Sequence, residues 1–311
     1  MYLEIKNNQT VNKSDIPIDS FKNLKKDLDL RKMRVVQLFI SPENGRNKLY
    51  CVFTGNEMAA ESPKLFVVAC YSENSFDSIT PNNAALHLFE REIYENFEIK
   101  PIGHPWLKPV REIEDYEFLK SDDMQTHEVA VGPVHAGIIE PGHFRFLCNS
   151  ERINHLEVQL GYQHRGVEKM LKAYPSVQLA ESICGDSTIA YALTFAHALE
   201  SLSNIKVDKR DEIIRQIALE MERVAIHIGD LGAIAEDIAF KMGSAVFGVT
   251  RTVIINTILE ICGNRFGKGL IKIGGVNFDI DSDMSKKIST LLTEVQKRVD
   301  KMMKAMNNNS S

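Results

Sequence analysis

Two short clusters in this chain gather residue types that move protons or bind soft metals. His164-Arg165-Gly166-Val167-Glu168-Lys169 sets an imidazole, a guanidinium and a carboxylate side by side. Cys184-Gly185-Asp186-Ser187 follows where a long apolar helical pattern begins. Imidazole and carboxylate groups serve as general acids and bases, and a thiolate ligates soft metals. Together the two clusters, Gly161 to Ser187, point to a site facing the protein interior. A second set, Glu220, Arg223 and His227, recurs at spacings of three and four and so shares one helix face. His135 lies in Gly132-Pro133-Val134-His135-Ala136-Gly137, where glycines let the backbone approach another group. Each set also has a plainer reading. His164 to Lys169 reads equally as a capped helix start whose surface ion pairs are worth ~0–1 kcal/mol each. Glu220, Arg223 and His227 read as a solvated face, His135 as a turn residue, and Cys184 as a small buried hydrophobe.

The 311 residues allow two domains of the usual size, roughly 100–200 residues each. Hydrophobic content of 44% and charged content of 25% are those of a globular protein. A net charge of -5 and a pI near 6.0 give no reason to expect nucleic acid binding. The five cysteines (Cys51, Cys70, Cys148, Cys184, Cys262) are scattered, with no CxxC pair. They form neither a disulfide framework nor a structural zinc site, and four of them read as buried thiols of a reducing cytoplasm. The N-terminus lacks the plan of a signal peptide, and no window approaches the ~20 uninterrupted apolar residues of a membrane span. No GxGxxG follows a strand and no GxxxxGK[ST] occurs; Gly263 to Gly269 is glycine-rich but follows a helix. Direct nicotinamide binding is therefore unsupported. HExxH and Gly-x-Ser-x-Gly are absent too.

The elements that must position these residues divide in two. Residues 1–30 are lysine-rich and weakly patterned. Val35 to Ile40, Lys48 to Phe53 and Lys64 to Cys70 are β-branched and aromatic runs separated by Asn44-Gly45 and Ser62-Pro63, and predict strands of a small sheet. Ala84 to Phe97 predicts a helix with Leu88, Ile93 and Phe97 on one face and Glu90-Arg91-Glu92 partly on the other. Pro101 and Pro105 end it. The acidic run Glu112 to Asp123 predicts the linker. His127 to Val131, Gly132 to Gly137, Phe144 to Cys148 and His155 to Leu160 read as antiparallel strands. Beyond Gly161 the pattern is helical. Ile213, Ile217, Met221, Val224, Ile228 and Leu231 form one apolar stripe. Asp237 to Cys262 is apolar on several sides, Gly263 caps it, and Ser285 to Met306 is a last charged helix.

These residues carry a family resemblance. Ser75 to Thr80, Glu90-Arg91-Glu92-Ile93-Tyr94-Glu95-Asn96-Phe97 and Gly103-His104-Pro105 resemble the small 30 kDa-type accessory subunit of respiratory complex I, whose pattern is ERExYDxFG followed by GHP. Glu95 and Glu98 stand where that pattern has Asp and Gly. The remainder resembles the quinone-site subunit of complex I and, more closely, the large subunit of membrane-bound nickel–iron hydrogenases of the formate hydrogenlyase type. That resemblance rests on Gly132-Pro133-Val134-His135, Glu140 to Arg145, His164 to Lys169, Glu222-Arg223…His227, and Gly263-Asn264-Arg265…Gly274-Gly275-Val276.

The resemblance implies an α+β chain. A small N-terminal α/β sheet domain, residues 1–120, precedes a mainly helical bundle domain, residues 121–311, with an antiparallel β segment at its start and a short C-terminus. It implies an oxidoreductase subunit of a complex-I-like, membrane-associated assembly of the NADH:quinone or hydrogenase kind. Its partners would be an iron–sulfur subunit and membrane subunits, holding it in the cytoplasm on the inner side of the cell membrane with no span of its own. Glu168 matches the hydrogenase glutamate that passes protons to and from the metal, and Arg165 the arginine beside it. His227 matches the histidine next to the partner's terminal iron–sulfur cluster, and His164 joins Arg165 and His227 as a contact to that cluster. His135 matches the histidine at the head of the quinone pocket; its tyrosine partner falls at Asp186, which would instead carry protons. Cys184 aligns with the first cysteine of the first nickel–iron CxxC pair, but Ser187 replaces the second. The other pair falls beyond this sequence. No metal is therefore expected in this chain; iron–sulfur clusters belong to partners, and a quinone is the remaining ligand. The competing expectation is a non-catalytic scaffold or a fragment of a hydrogenase large subunit.

Overall fold

The computed structural model describes residues 2–6, 9–31, 33–55, 64–111, 116–134 and 140–308. They gather into two compact units, Met1–His164 and Arg165–Ser311. The α+β expectation holds.

In the first unit β1 (Leu3–Ile5), β2 (Arg34–Glu43), β3 (Arg46–Thr54) and β4 (Leu65–Ser72) form an antiparallel sheet in the order β1-β4-β3-β2. Asn44 and Gly45, both at positive φ, make the β2–β3 turn. The sheet packs on α1 (Phe21–Arg31), a helix that its many lysines hide in the sequence pattern. Leu24 and Leu28, four apart, are fully buried there, and Ser20 Oγ accepts the Asn23 N–H at 3.2 Å to start the helix. Cys51 and Cys70 lie inside the sheet core, where burial pushes both thiols up to about 12 and leaves them inert.

A short parallel pair, β5 (Ser75–Asp77) and β6 (Lys100–Ile102), brackets α2 (His87–Phe97). Here the expected faces are corrected. Glu90 and Arg91 are buried and Leu88 is exposed, because the polar side chains have specific work inside. Glu90 accepts from Ser78 Oγ (2.5 Å), the Ile79 N–H (2.7 Å) and Thr80 Oγ1 (2.7 Å). Arg91 donates to the carbonyls of Lys108 and Pro109, both at 2.6 Å, and lies 4.4 Å over the Trp106 ring. His104 is fully buried and accepts the Trp106 N–H on Nδ1 at 3.0 Å, so its proton sits on Nε2, 3.9 Å from Glu90. The Glu-Arg-Glu and Gly-His-Pro motifs are thus one clamp. Glu98, at φ 56, takes the left-handed turn after α2 without a glycine.

Three antiparallel strands follow, β7 (His127–Val131), β8 (His143–Asn149) and β9 (Arg152–Gln159), in that order. Residues 132–134 are not a strand, and 135–139, with His135, lie outside the described residues; so do 112–115 of the expected linker. Compact packing keeps β7 to β9 in the first unit, where buried Glu157 of β9 accepts from the Leu119 N–H and from Trp106 Nε1 (3.4 Å).

The second unit holds α3 (Val167–Ala173), α4 (Val177–Ala180), α5 (Thr188–Ser203), α6 (Lys209–Asp237), α7 (Lys241–Cys262), the hairpin β10 (Ile271–Lys272) and β11 (Gly275–Val276), and α8 (Ser282–Asn307). Asp208 and Asp281 cap α6 and α8 through their side chains, and Gly263, at φ 74, ends α7. The core stripe of α6 is Ile214, Ala218, Met221, Ala225 and Ile228, and the expected Ile213 is exposed. The stripe is rotated by about a residue because it must also bury Arg215 and Glu222. Among the described residues, α7 is the one helix long and apolar enough to cross a membrane; Phe247, Ile254, Ile258 and Ile261 place it in the bundle core.

Candidate functional site

The site forms where α5 begins. Residues 184–187 make a turn in which the Ser187 N–H reaches the Cys184 carbonyl at 3.4 Å, and α5 then starts with no cap from its own Ser187 side chain. The cap comes from α6. Buried Glu222 accepts the Ile189 N–H at 2.6 Å and the Ala190 N–H at 3.0 Å. A carboxylate at a helix N-terminus answers both the orphan donors and the helix dipole. From the other side, the loop after α7 closes on α5: Gly267, at φ +74, lies so near Ile189 that a Cβ would come within 2.5 Å of its Cδ1. Glu181, after α4, accepts the Gly269 N–H at 2.7 Å and fixes that loop.

Between these elements opens a small cleft, partly open to solvent. Asp186, Glu222, Arg251 and Arg265 supply its polar wall, and Ile226, Ile255, Ile258 and Phe266 its apolar one. Burial pushes the Glu222 carboxyl above the usual carboxylate range; the Asp186 charge adds to that, while the two backbone N–H bonds oppose it. A raised carboxyl beside an exposed one is an arrangement that can hold and pass a proton.

The expected residues fall as follows. Arg165 is exposed but donates to the Ser182 carbonyl at 2.7 Å and the Ile183 carbonyl at 3.5 Å, tying the first cluster to the second. Glu168 is exposed on the first turn of α3, and the buried carboxylates of this region are Glu181 and Glu222. Asp186 is exposed at the cleft. His164 is exposed and ends the first unit. His227 is exposed on α6, 4.0 Å from the Asp230 carboxylate, while its face-mates Glu220 and Arg223 pair with each other at 3.0 Å. Glu222 escapes a reading by pattern because it sits one position off the apolar stripe. Its adjacency to core Met221 is the signal the sequence offers.

A nickel–iron centre does not fit this donor set. Cys184 is half-buried, and at Ser187 an alcohol stands where a second thiolate would be needed. Among the described residues, the group of His, Cys, Asp or Glu close enough to share a metal is His197, Glu200 and Glu212, away from Cys184. Both of those carboxylates already bind Arg215.

Comparison with known proteins now assigns the two parts. Residues 13–128 match the family described as "Respiratory-chain NADH dehydrogenase, 30 Kd subunit", and residues 237–311 match "Respiratory-chain NADH dehydrogenase, 49 Kd subunit". The chain is a fusion of complex I 30 kDa-type and 49 kDa-type segments. It is 28% identical over 303 residues to hydrogenase-4 component G of Escherichia coli, covering 86% of this chain and 55% of that protein. It is 32% identical over 168 residues to the alpha component of the membrane-bound hydrogenase of Pyrococcus furiosus (53% and 39%). To an NADH-quinone oxidoreductase component of Clostridium beijerinckii it is 27% identical over 180 residues (56% and 49%). The fusion thus spans about half the length of the curated relatives it matches. Among solved structures it resembles a chain of the membrane-bound sulfane sulfur reductase, an archaeal respiratory membrane complex, with TM-score 0.57 and 20% identity over 61% of this chain and 52% of that one. At that identity the likeness concerns the fold alone.

The fold explains the 49 kDa-type motif around Gly275. A Cβ there would meet Asp211 Oδ2 at 2.1 Å, and that oxygen accepts the Val276 N–H at 3.2 Å. A pH prediction also follows. The raised Glu222 binds its proton more tightly folded than unfolded, so its contribution is fully present below the unfolded value near 4.5 and is lost as pH rises through the folded one. Measured by urea titration at several pH values, Glu222→Gln is expected to gain stability relative to wild type as pH rises. A difference independent of pH contradicts the raised carboxyl.

Proposed function

We propose that this chain is an oxidoreductase subunit of a complex-I-like, membrane-associated assembly, related to NADH:quinone oxidoreductases and energy-converting hydrogenases. The observation that carries the reading is the cleft at the start of α5, where exposed Asp186 and buried Glu222 share one wall. In this proposal the assembly holds the chain, with family segments 1–120 and 121–311, at the inner face of the cell membrane through membrane subunits. An iron–sulfur subunit faces Arg165, His227 and His164, and its cluster supplies the electrons. Asp186 receives the proton that accompanies each electron and passes it inward, with Glu168 on the outer path; His135 handles a quinone where one binds. The names of the relatives, hydrogenase and NADH-quinone oxidoreductase components, support this class.

Replacing Asp186 by asparagine in the assembled complex keeps the size of the side chain and removes its proton. Proton-coupled turnover is expected to fall at least about tenfold, the lower range for a positioned acid–base group. Unchanged turnover contradicts the relay. A second reading, a non-catalytic scaffold or a hydrogenase fragment, is favoured by one observation, the serine at 187 where the hydrogenase resemblance calls for a metal thiolate. It predicts that the same substitution has no effect.

A further inference from the structure

The cleft wall holds two cations that no carboxylate answers. Among the described residues, neither the half-buried Arg251 side chain nor the exposed Arg265 side chain has a hydrogen bond or an ion pair; Arg265 rests its guanidinium 5.4 Å over the Phe266 ring. The acidic groups of the same cleft do not neutralise them. Both oxygens of Glu222 are engaged by the Ile189 and Ala190 N–H groups, and Asp186 is exposed. Two fork-shaped guanidiniums therefore keep their donors unspent beside an apolar floor of Ile226, Ile255 and Ile258.

The position of Arg251 is built rather than incidental. Gly229 lies in the interior of α6, where a glycine weakens a helix. A Cβ at 229 would stand 3.2 Å from both Cδ and Nε of Arg251. The missing side chain leaves Arg251 Cδ and Nε their place against α6, which an added Cβ would shift by a few tenths of an ångström.

We infer that this cleft binds a carboxylate carried on a short apolar stem, its head forked by Arg251 and Arg265 and its stem lying on Ile226, Ile255 and Ile258. A guanidinium pairs a carboxylate through two parallel N–H bonds, which a halide cannot reproduce. The inference rests on the cleft alone and not on the redox reading, so either can fail without the other. The carboxylate has two sources with the same chemistry, a free small acid or a glutamate of a polypeptide.

The test is calorimetric titration of the 311-residue chain with butyrate, and separately with acetate and with an acetylated Gly-Glu-Gly amide, at ionic strength held constant with chloride. Saturable one-site binding of butyrate is expected, about fifteen-fold tighter than acetate for two buried methylenes. Binding of the tripeptide in its place assigns the polypeptide source. Arg265→Gln is expected to weaken binding at least about tenfold, and Arg223→Gln, on the exposed face of α6, to leave it unchanged. Gly229→Ala keeps both cations and favours the helix, yet is expected to weaken binding severalfold by displacing Arg251. Saturable binding of neither probe overturns the inference. So does equal affinity in the Arg265→Gln chain, or an equal loss in Arg223→Gln.

Discussion

Arg215→Ala is expected to destabilise the helical unit by about 3–5 kcal/mol, the cost of leaving one partner of a buried ion pair alone. Arg215 is fully buried on α6. It forks onto Glu200 of α5, Nη2 to Oε1 at 2.6 Å and Nη1 to Oε2 at 3.1 Å. It also donates to the carbonyls of Lys272 (2.7 Å) and Gly275 (3.0 Å) in the β10–β11 hairpin. Glu200 reaches the same hairpin by accepting the Gly274 N–H at 2.7 Å. One guanidinium therefore joins two helices and a hairpin. Burial pushes the Glu200 carboxyl up, but the bonds and charge of Arg215 with the Gly274 N–H outweigh it, and the group ends below its usual range. Without Arg215, Glu200 must take a proton or stay as an unpaired buried charge. Thermal unfolding followed by far-ultraviolet circular dichroism reads the loss. Replacing Arg215 and Glu200 together by methionine is expected to recover part of it, since a buried pair is worth little more than an apolar one. The recovery is incomplete because two carbonyls and one N–H of the hairpin lose their partners. A cost below about 1 kcal/mol for Arg215→Ala contradicts this role.

The second large effect is expected at Glu90, where alanine should cost about 2–4 kcal/mol in the first unit. Glu90 is fully buried and accepts three hydrogen bonds from residues 78–80. Its removal strands the Ile79 N–H, which cannot turn elsewhere as the Ser78 and Thr80 hydroxyls can. Trp106 is the one tryptophan of the chain and belongs to the same clamp, through its N–H to His104 and its ring under Arg91. Its fluorescence in urea reports the midpoint directly. A midpoint equal to that of wild type removes Glu90 from the set of residues holding the clamp.

The contrast between these two carboxylates shows what patterning conveys. Glu90 and Glu200 occupy helices whose apolar spacing is legible, yet period alone sends charged residues to solvent. Only their partners, a serine–threonine loop in one case and Arg215 in the other, bring them inside. The strands β2 to β4 are readable because β-branched runs between turn signals have few other outcomes. Helix α1 is not, because a few apolar residues among lysines make a weak stripe. At the cleft, Asp186 is found within the cysteine turn, and the resemblance singles it out at the tyrosine position. Glu222, Arg251 and Arg265 lie on α6, α7 and the loop that follows, and meet only through the packing of those elements. Nothing local marks such a meeting.

The central claim is that this fused chain works inside a redox assembly, and purification from its native host under mild detergent tests it most directly. The account predicts that the tagged chain elutes with an iron–sulfur protein and membrane subunits, and that metal analysis finds iron in the complex without stoichiometric nickel. Elution as a stable, iron-free monomer from membranes and soluble fraction alike contradicts it.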